Sequence, residues 1–215
     1  MKHIYLIIFL LSSSFLRAQD LLNVPDYRTD KESFKKVKNK TLRKELASFT
    51  VAGGDDEKKS MDLKEIPLKT YGDNFITFNQ DSLTVTILTG IFIKAEHRLL
   101  YYDQSLIKID DKPFWGTAGD LPVASILSVR VSIGATMIEL PFDAVNDLYN
   151  PDLCWTDAKN KGTNCRTGVY VSDDGKRIYI TMMNGGEAGA YEITWIIEKG
   201  KYLRRVLDDE FNPEQ

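Results

Sequence analysis

From Asn74 to the C-terminus, apolar residues recur at alternate positions more often than at helical spacing. Phe75 and Thr77, then Leu83, Val85 and Ile87, alternate with smaller or polar residues, the period of a strand with one face on a core. Gly90 interrupts, and residues 91–102 continue in extended style, with a helical turn open as an alternative between Lys94 and Leu100. Residues 106–109 form a further predicted strand, and residues 126–131 and 136–140 a pair joined across 133–135. The clearest pattern lies in the last fifty residues. Strands over 168–171 and 177–182 flank residues 172–176, whose glycine suits a left-handed turn position. Tyr191, Ile193, Trp195 and Ile197 share one strand face, Lys199 and Gly200 turn, and residues 202–207 return, which predicts a four-strand antiparallel meander.

Helical spacing is confined to two places. Thr29, Asp30, Lys31 and Glu32 have the form of a capping box, and Phe34, Val37, Leu42, Leu46 and Phe49 follow as an approximate apolar stripe. Lys35, Lys36, Lys38, Lys40, Arg43 and Lys44 stand between them. A basic amphipathic helix suits a membrane surface or a partner. Docking by its apolar side with a solvated basic face needs nothing special and is the expectation. Residues 51–60 break the pattern with glycine and charge, as a linker does. Pro141 starts a short segment with Phe142, Val145, Leu148 and Tyr149 at helical spacing, and Pro151 stops it. The expected fold is mainly β: an antiparallel β-sandwich or partly curled sheet with an N-terminal amphipathic helix and a short helix near residues 142–149. The chain divides into a signal peptide over 1–18, an N-terminal helical and linker segment over 19–70, and a β-rich domain over 71–215.

The signal peptide rests on Lys2, an apolar run over 4–11 too short to cross a bilayer, and small Ala18 at the expected cut. A lipid anchor needs a cysteine just after the cut, and the two cysteines are Cys154 and Cys165. A periplasmic or secreted chain is expected, with no transmembrane segment after the leader. Of the 28 Lys and Arg, Lys2 and Arg17 leave with the leader, so 26 face 31 acidic residues, near −5. Such a chain repels nucleic acid. In an oxidising compartment Cys154 and Cys165, separated by ten polar-rich residues, are expected to form a disulfide that fixes residues 152–167. Neither Cys-x-x-Cys redox spacing nor a zinc set is present.

His97 is the lone histidine after residue 18, and no Gly-x-Ser-x-Gly elbow accompanies it, so it reads as an ordinary polar residue near a sheet edge. Glu96, Asp103, Asp143, Asp147, Asp157, Glu187 and Glu192 lie near element ends or loops, where a glycosidase-like pair needs two carboxyls about 5–9.5 Å apart. Asp143, Asp147, Asp152, Asp157 and Asn160 could supply oxygens to calcium, but their spacing is not that of an EF-hand. Residues 184–190 contain three glycines but lack the ending of a phosphate loop, so a glycine-rich hairpin or bulge is expected. No cofactor and no metal are expected. The leading functional expectation is a secreted or periplasmic binding or interaction module, with an envelope protein or a glycan as partner. Its expected contact residues are Trp115, Tyr149, Trp155, Asn184, Gly185 and Gly186. The competing class is an extracytoplasmic carboxylate-dependent hydrolase acting on a glycan or envelope polymer.

Overall fold

The computed structural model describes residues 32–53, 63–156, 162–184 and 189–209. The expected signal peptide over 1–18, the first three residues of the capping box, Asp157, Asn160, Gly185, Gly186 and Glu187 lie outside them.

The N-terminal apolar stripe is divided. Residues Phe34–Lys36 form a single 3-10 turn, and the α-helix α1 spans Lys40–Ala47. The break has two causes. The Phe34 N–H is held by both Asp208 carboxylate oxygens at 3.1 and 3.0 Å, which pins the first turn to a distant strand end. Asn39 then starts a new helix, its Oδ1 accepting the N–H groups of Thr41 and Leu42. The helix expected from Thr29 onward is thus a shorter one.

Two short strands, β1 (Lys64–Glu65) and β2 (Leu68–Gly72), lead into the hairpin of β3 (Phe75–Gln80) and β4 (Leu83–Ile91). A smaller hairpin follows, β5 (Leu99–Tyr102) with β6 (Ser105–Ile109), then β7 (Ala124–Ile133) and β8 (Thr136–Glu139). The segment 94–100 holds one 3-10 turn at Lys94–Glu96 before β5. β2, β3, β4, β7 and β8 hydrogen-bond in that order as an antiparallel sheet. Ile76, Phe78, Val85, Ile87, Val129 and Val131 turn one face of it inward.

Near 142–149 the expected helix is a 3-10 turn, Phe142–Ala144. Tyr149 then bridges Ser125, and Asn150 adopts a positive φ of 49°. Backbone bonds between this stretch and Trp115 and Ala124 outbid further helical turns: Trp115 donates to the Asp147 carbonyl, Tyr149 to that of Trp115, and Asn150 to that of Ala124.

Beyond it, β9 (Cys154–Thr156) and β10 (Thr163–Cys165) make a two-strand ribbon. The predicted meander follows as β11 (Thr167–Val171), β12 (Arg177–Asn184), β13 (Tyr191–Glu198) and β14 (Lys201–Asp208), with β1 added beside β11. Gly175, at φ 68°, serves the first turn, and Lys199 and Gly200, at 50° and 74°, the last. Ile178, Ile180, Met182, Tyr191, Ile193, Trp195 and Ile197 join the inner residues of the other sheet in one buried cluster. The outer face of this second sheet is covered as well, because Leu42, Leu46 and Ala47 of α1 pack with Tyr179, Ile196 and Val206. Burial of Leu42 and Leu46 contributes about 2 kcal/mol each. That double cover explains why β13 is buried at nearly every position instead of alternating.

Candidate functional site

The cysteines pair: Cys154 and Cys165 are disulfide-bonded and sit directly opposite in the β9–β10 ribbon. Trp155 faces Asn164 and Thr156 faces Thr163, so the ribbon is a mirror around its closing bond. Tyr71 of β2 ties it to the first sheet, its hydroxyl 2.8 Å from Thr156 Oγ1 and 3.5 Å from Thr163 Oγ1. These two bonds hold the Tyr71 hydroxyl below its ordinary pKa. Arg166, the next residue after Cys165, donates to Asp152 Oδ2 at 3.0 Å and places its guanidinium 5.6 Å from the Trp155 ring centre.

A cavity opens on each side of this ribbon. One, of about 740 Å³, is lined by Tyr71, Asp73, Thr89, Asp152 and Trp155 among others. The second, of about 450 Å³, is lined by Phe49, Glu65, Arg166, Tyr170, Met183 and Glu192 among others. Cys154 borders the larger and Cys165 the smaller. Replacing both cysteines by serine is expected to cost about 2–3 kcal/mol by releasing loop-closure entropy in the unfolded chain. Urea unfolding measures the loss, and circular dichroism should retain the β11–β14 meander; collapse of all β-structure would show that the ribbon closes the whole core.

Glu192 is 4% exposed, and its two carboxylate oxygens accept the N–H groups of Val51 and Ala52 at 2.9 and 3.0 Å. Burial pushes its carboxyl up, the two backbone donors pull it partly back, and Asp208 adds to the rise. Between its ordinary value near 4.5 and the raised folded value, the folded chain keeps a proton that the unfolded chain has released. Stability therefore falls as pH rises through that window and returns on acidification. Glu192→Gln is expected to flatten that dependence in urea titrations at several pH values; an unchanged slope would remove Glu192 as its source.

The expected contact residues separate. Trp155 is 44% exposed and borders the larger cavity. Trp115, Tyr149 and Asn184 are buried and belong to an internal network. Trp115 donates its indole N–H to Asp209 at 3.3 Å and lies under Arg205. The Tyr149 carbonyl accepts from Asn184 Nδ2 and from the Tyr191 hydroxyl at 3.1 Å, and Asn184 also bonds the Asn150 carbonyl at 2.6 Å. Burial, with Asp110 and Asp147 nearby, raises the Tyr149 hydroxyl well above its ordinary pKa. In these positions the three side chains brace the fold.

Among the carboxylates, Asp147 is ion-paired with Arg205 and Asp143 with Lys112. His97 bonds Asp110 through Nδ1 at 2.7 Å and stacks on Phe92 with ring centres 4.5 Å apart. Among the described residues, no group of three or more His, Cys, Asp or Glu is placed to hold a metal ion, and no helix is long and apolar enough to cross a membrane. Reading the sequence missed Tyr71 and Arg166. The mirrored order Cys-Trp-Thr and Thr-Asn-Cys was the available signal for the ribbon. Nothing in one-dimensional spacing joins Tyr71 to it. It also missed a group of exposed apolar side chains, Ile91, Ile93, Leu100, Tyr101, Tyr102 and Val123, around the β5–β6 hairpin and the adjoining ends of β4 and β7. No protein-family model, curated protein or solved structure matches this chain.

Proposed function

We propose that this chain is a secreted or periplasmic binding module whose contact site is the cystine ribbon and the larger cavity beside it. The observation that carries the reading is Trp155: a large aromatic left half-exposed on a ribbon that a disulfide, the Tyr71 hydroxyl and Arg166 all restrain. A rigid exposed aromatic gives contact area without the entropy cost of ordering a mobile side chain. The disulfide is compatible with an oxidising compartment, and the two five-stranded sheets sharing one buried cluster support a β-sandwich as the scaffold. The test is recovery of envelope proteins and glycans by immobilised wild-type and Trp155→Ala chains. Selective loss from the variant is the expected result, and equal recovery would remove the ribbon from the site.

The competing hydrolase reading has one observation behind it. Glu192 and Glu65 line the same 450 Å³ cavity, and the Glu192 carboxyl is pushed up by burial, as a general acid requires. Both Glu192 oxygens, however, already accept backbone N–H groups, which suits a structural tie better than proton transfer. Turnover of a cell-wall or glycan substrate that Glu192→Gln abolishes would favour this second reading.

A further inference from the structure

We infer that the larger cavity takes a neutral saccharide, with Trp155 as the stacking platform and Asp73 as an acceptor for sugar hydroxyls. This rests on the binding-module reading and specifies its ligand. A pyranose ring presents an apolar C–H face and a rim of hydroxyl donors. Its binding site therefore needs an aromatic face beside hydroxyl and carboxylate acceptors. The cavity supplies Trp155 and Tyr71 with Asp73, Asp152 and Thr89, in a volume of about 740 Å³, within the range of small-molecule sites.

The charge pattern narrows the class. Among the described lining residues the charged groups are the carboxylates Asp73 and Asp152, and the nearby Arg166 guanidinium is already bound to Asp152, so phosphate, uronic acid and peptide carboxylate groups find no unpaired counter-charge there. An ammonium ligand also matches an indole beside two carboxylates, but a guanidinium already lies over one face of the indole, so a pyranose stacks on the opposite face, and Asp152 is already paired with that guanidinium. A second cation would be repelled by Arg166 and would have Asp73 alone as its counter-charge, Asp152 being already paired. A neutral polyol suffers neither penalty. The platform is also set in advance: Trp155 stands between Cys154, which is covalently closed, and Thr156, which Tyr71 holds.

The experiment applies the purified chain to an array of neutral glucans, mannans, xylans and chitin oligomers, with choline and glucuronic acid oligomers as charged controls. Hits are titrated by calorimetry and by tryptophan fluorescence. Trp115 and Trp195 are buried, so a ligand-induced change reports chiefly on Trp155. Saturable binding of a neutral oligosaccharide is expected, weakened about tenfold or more in Trp155→Ala but only about threefold in Trp155→Phe, which keeps an aromatic face. Asp73→Asn is expected to weaken it several-fold, with little dependence on salt in the parent chain. Circular dichroism of each variant guards against loss of fold.

Binding of choline in place of every neutral sugar would overturn the inference, as would an empty array or sugar binding indifferent to Trp155. The recovery assay with envelope proteins separates the two levels. An empty array together with Trp155-dependent protein capture defeats the saccharide and leaves the binding module standing. Failure of both defeats both.

Discussion

Gly116→Ala is expected to lower the unfolding free energy by about 3–5 kcal/mol, the range of severe backbone and packing defects. Gly116 has φ 113°, which side-chain-bearing residues rarely adopt, and a Cβ there would overlap the carbonyl of Tyr149. Relief by backbone movement is blocked on two sides. The Gly116 N–H donates to the Gly189 carbonyl at 3.1 Å, and its own carbonyl accepts Asn150 Nδ2 at 3.0 Å. Asn150 Oδ1 in turn takes the N–H groups of Val123 and Ala124. Urea unfolding measures the effect. Gly175→Ala supplies the comparison, since φ there is 68° and a Cβ meets open space, so only the left-handed cost of about 1–2 kcal/mol applies. Equal losses at the two positions would show that the crowding at Tyr149 is not rigid.

Asp147→Ala is expected to cost about 3–5 kcal/mol, because it strands a buried guanidinium. Arg205 is 7% exposed and makes two 2.6 Å bonds to Asp147, a third at 2.8 Å to Glu32 and a fourth, at 3.3 Å, to the Ala144 carbonyl. Burial alone disfavours its charge, yet pairing with Asp147 and Glu32 keeps its pKa above the ordinary value. Asp147→Ala combined with Arg205→Met is expected to recover at least half of the loss, since an apolar replacement leaves no unpaired charge behind. A double variant as unstable as the single one would mean that Arg205 stabilises mainly through its packing over Trp115.

The meander was legible because each of its turns and strands is local. Alternation at Tyr191, Ile193, Trp195 and Ile197 marks the inner face of β13, and Lys199 with Gly200 marks its turn. The disulfide was legible for the same reason of proximity, together with the polar loop it closes. What spacing could not supply was the competition between distant groups. The first helix is broken by a carboxylate 174 positions away, Asp208 on the Phe34 N–H. The segment after Pro141 stops short of a helix because Trp115 and Ala124 take up its backbone. Trp115 and Tyr149 stand in turn-rich sequence, where aromatics are often exposed, yet Tyr149 is wedged edge-on against Phe92 and Phe114 and Trp115 is capped by Arg205. Trp155 differs: on the three-residue strand β9 it stays 44% exposed, with the Arg166 guanidinium over its ring.

The addition of β1 beside β11 and the seating of α1 on β12–β14 have a consequence for the order of assembly. Hairpins β11–β12, β12–β13 and β13–β14 close short loops, whereas β1 must find β11 across more than a hundred residues. The C-terminal meander is therefore expected to form first and to template the N-terminal segment, which has no partner surface until the last strands exist. Pulse-labelled hydrogen exchange during refolding should protect the amides of β12 and β13 before those of α1; the reverse order would reject this sequence of events. A chain so wired leaves β1 and α1 waiting on its final fifty residues and cannot complete its fold from the N-terminus forward.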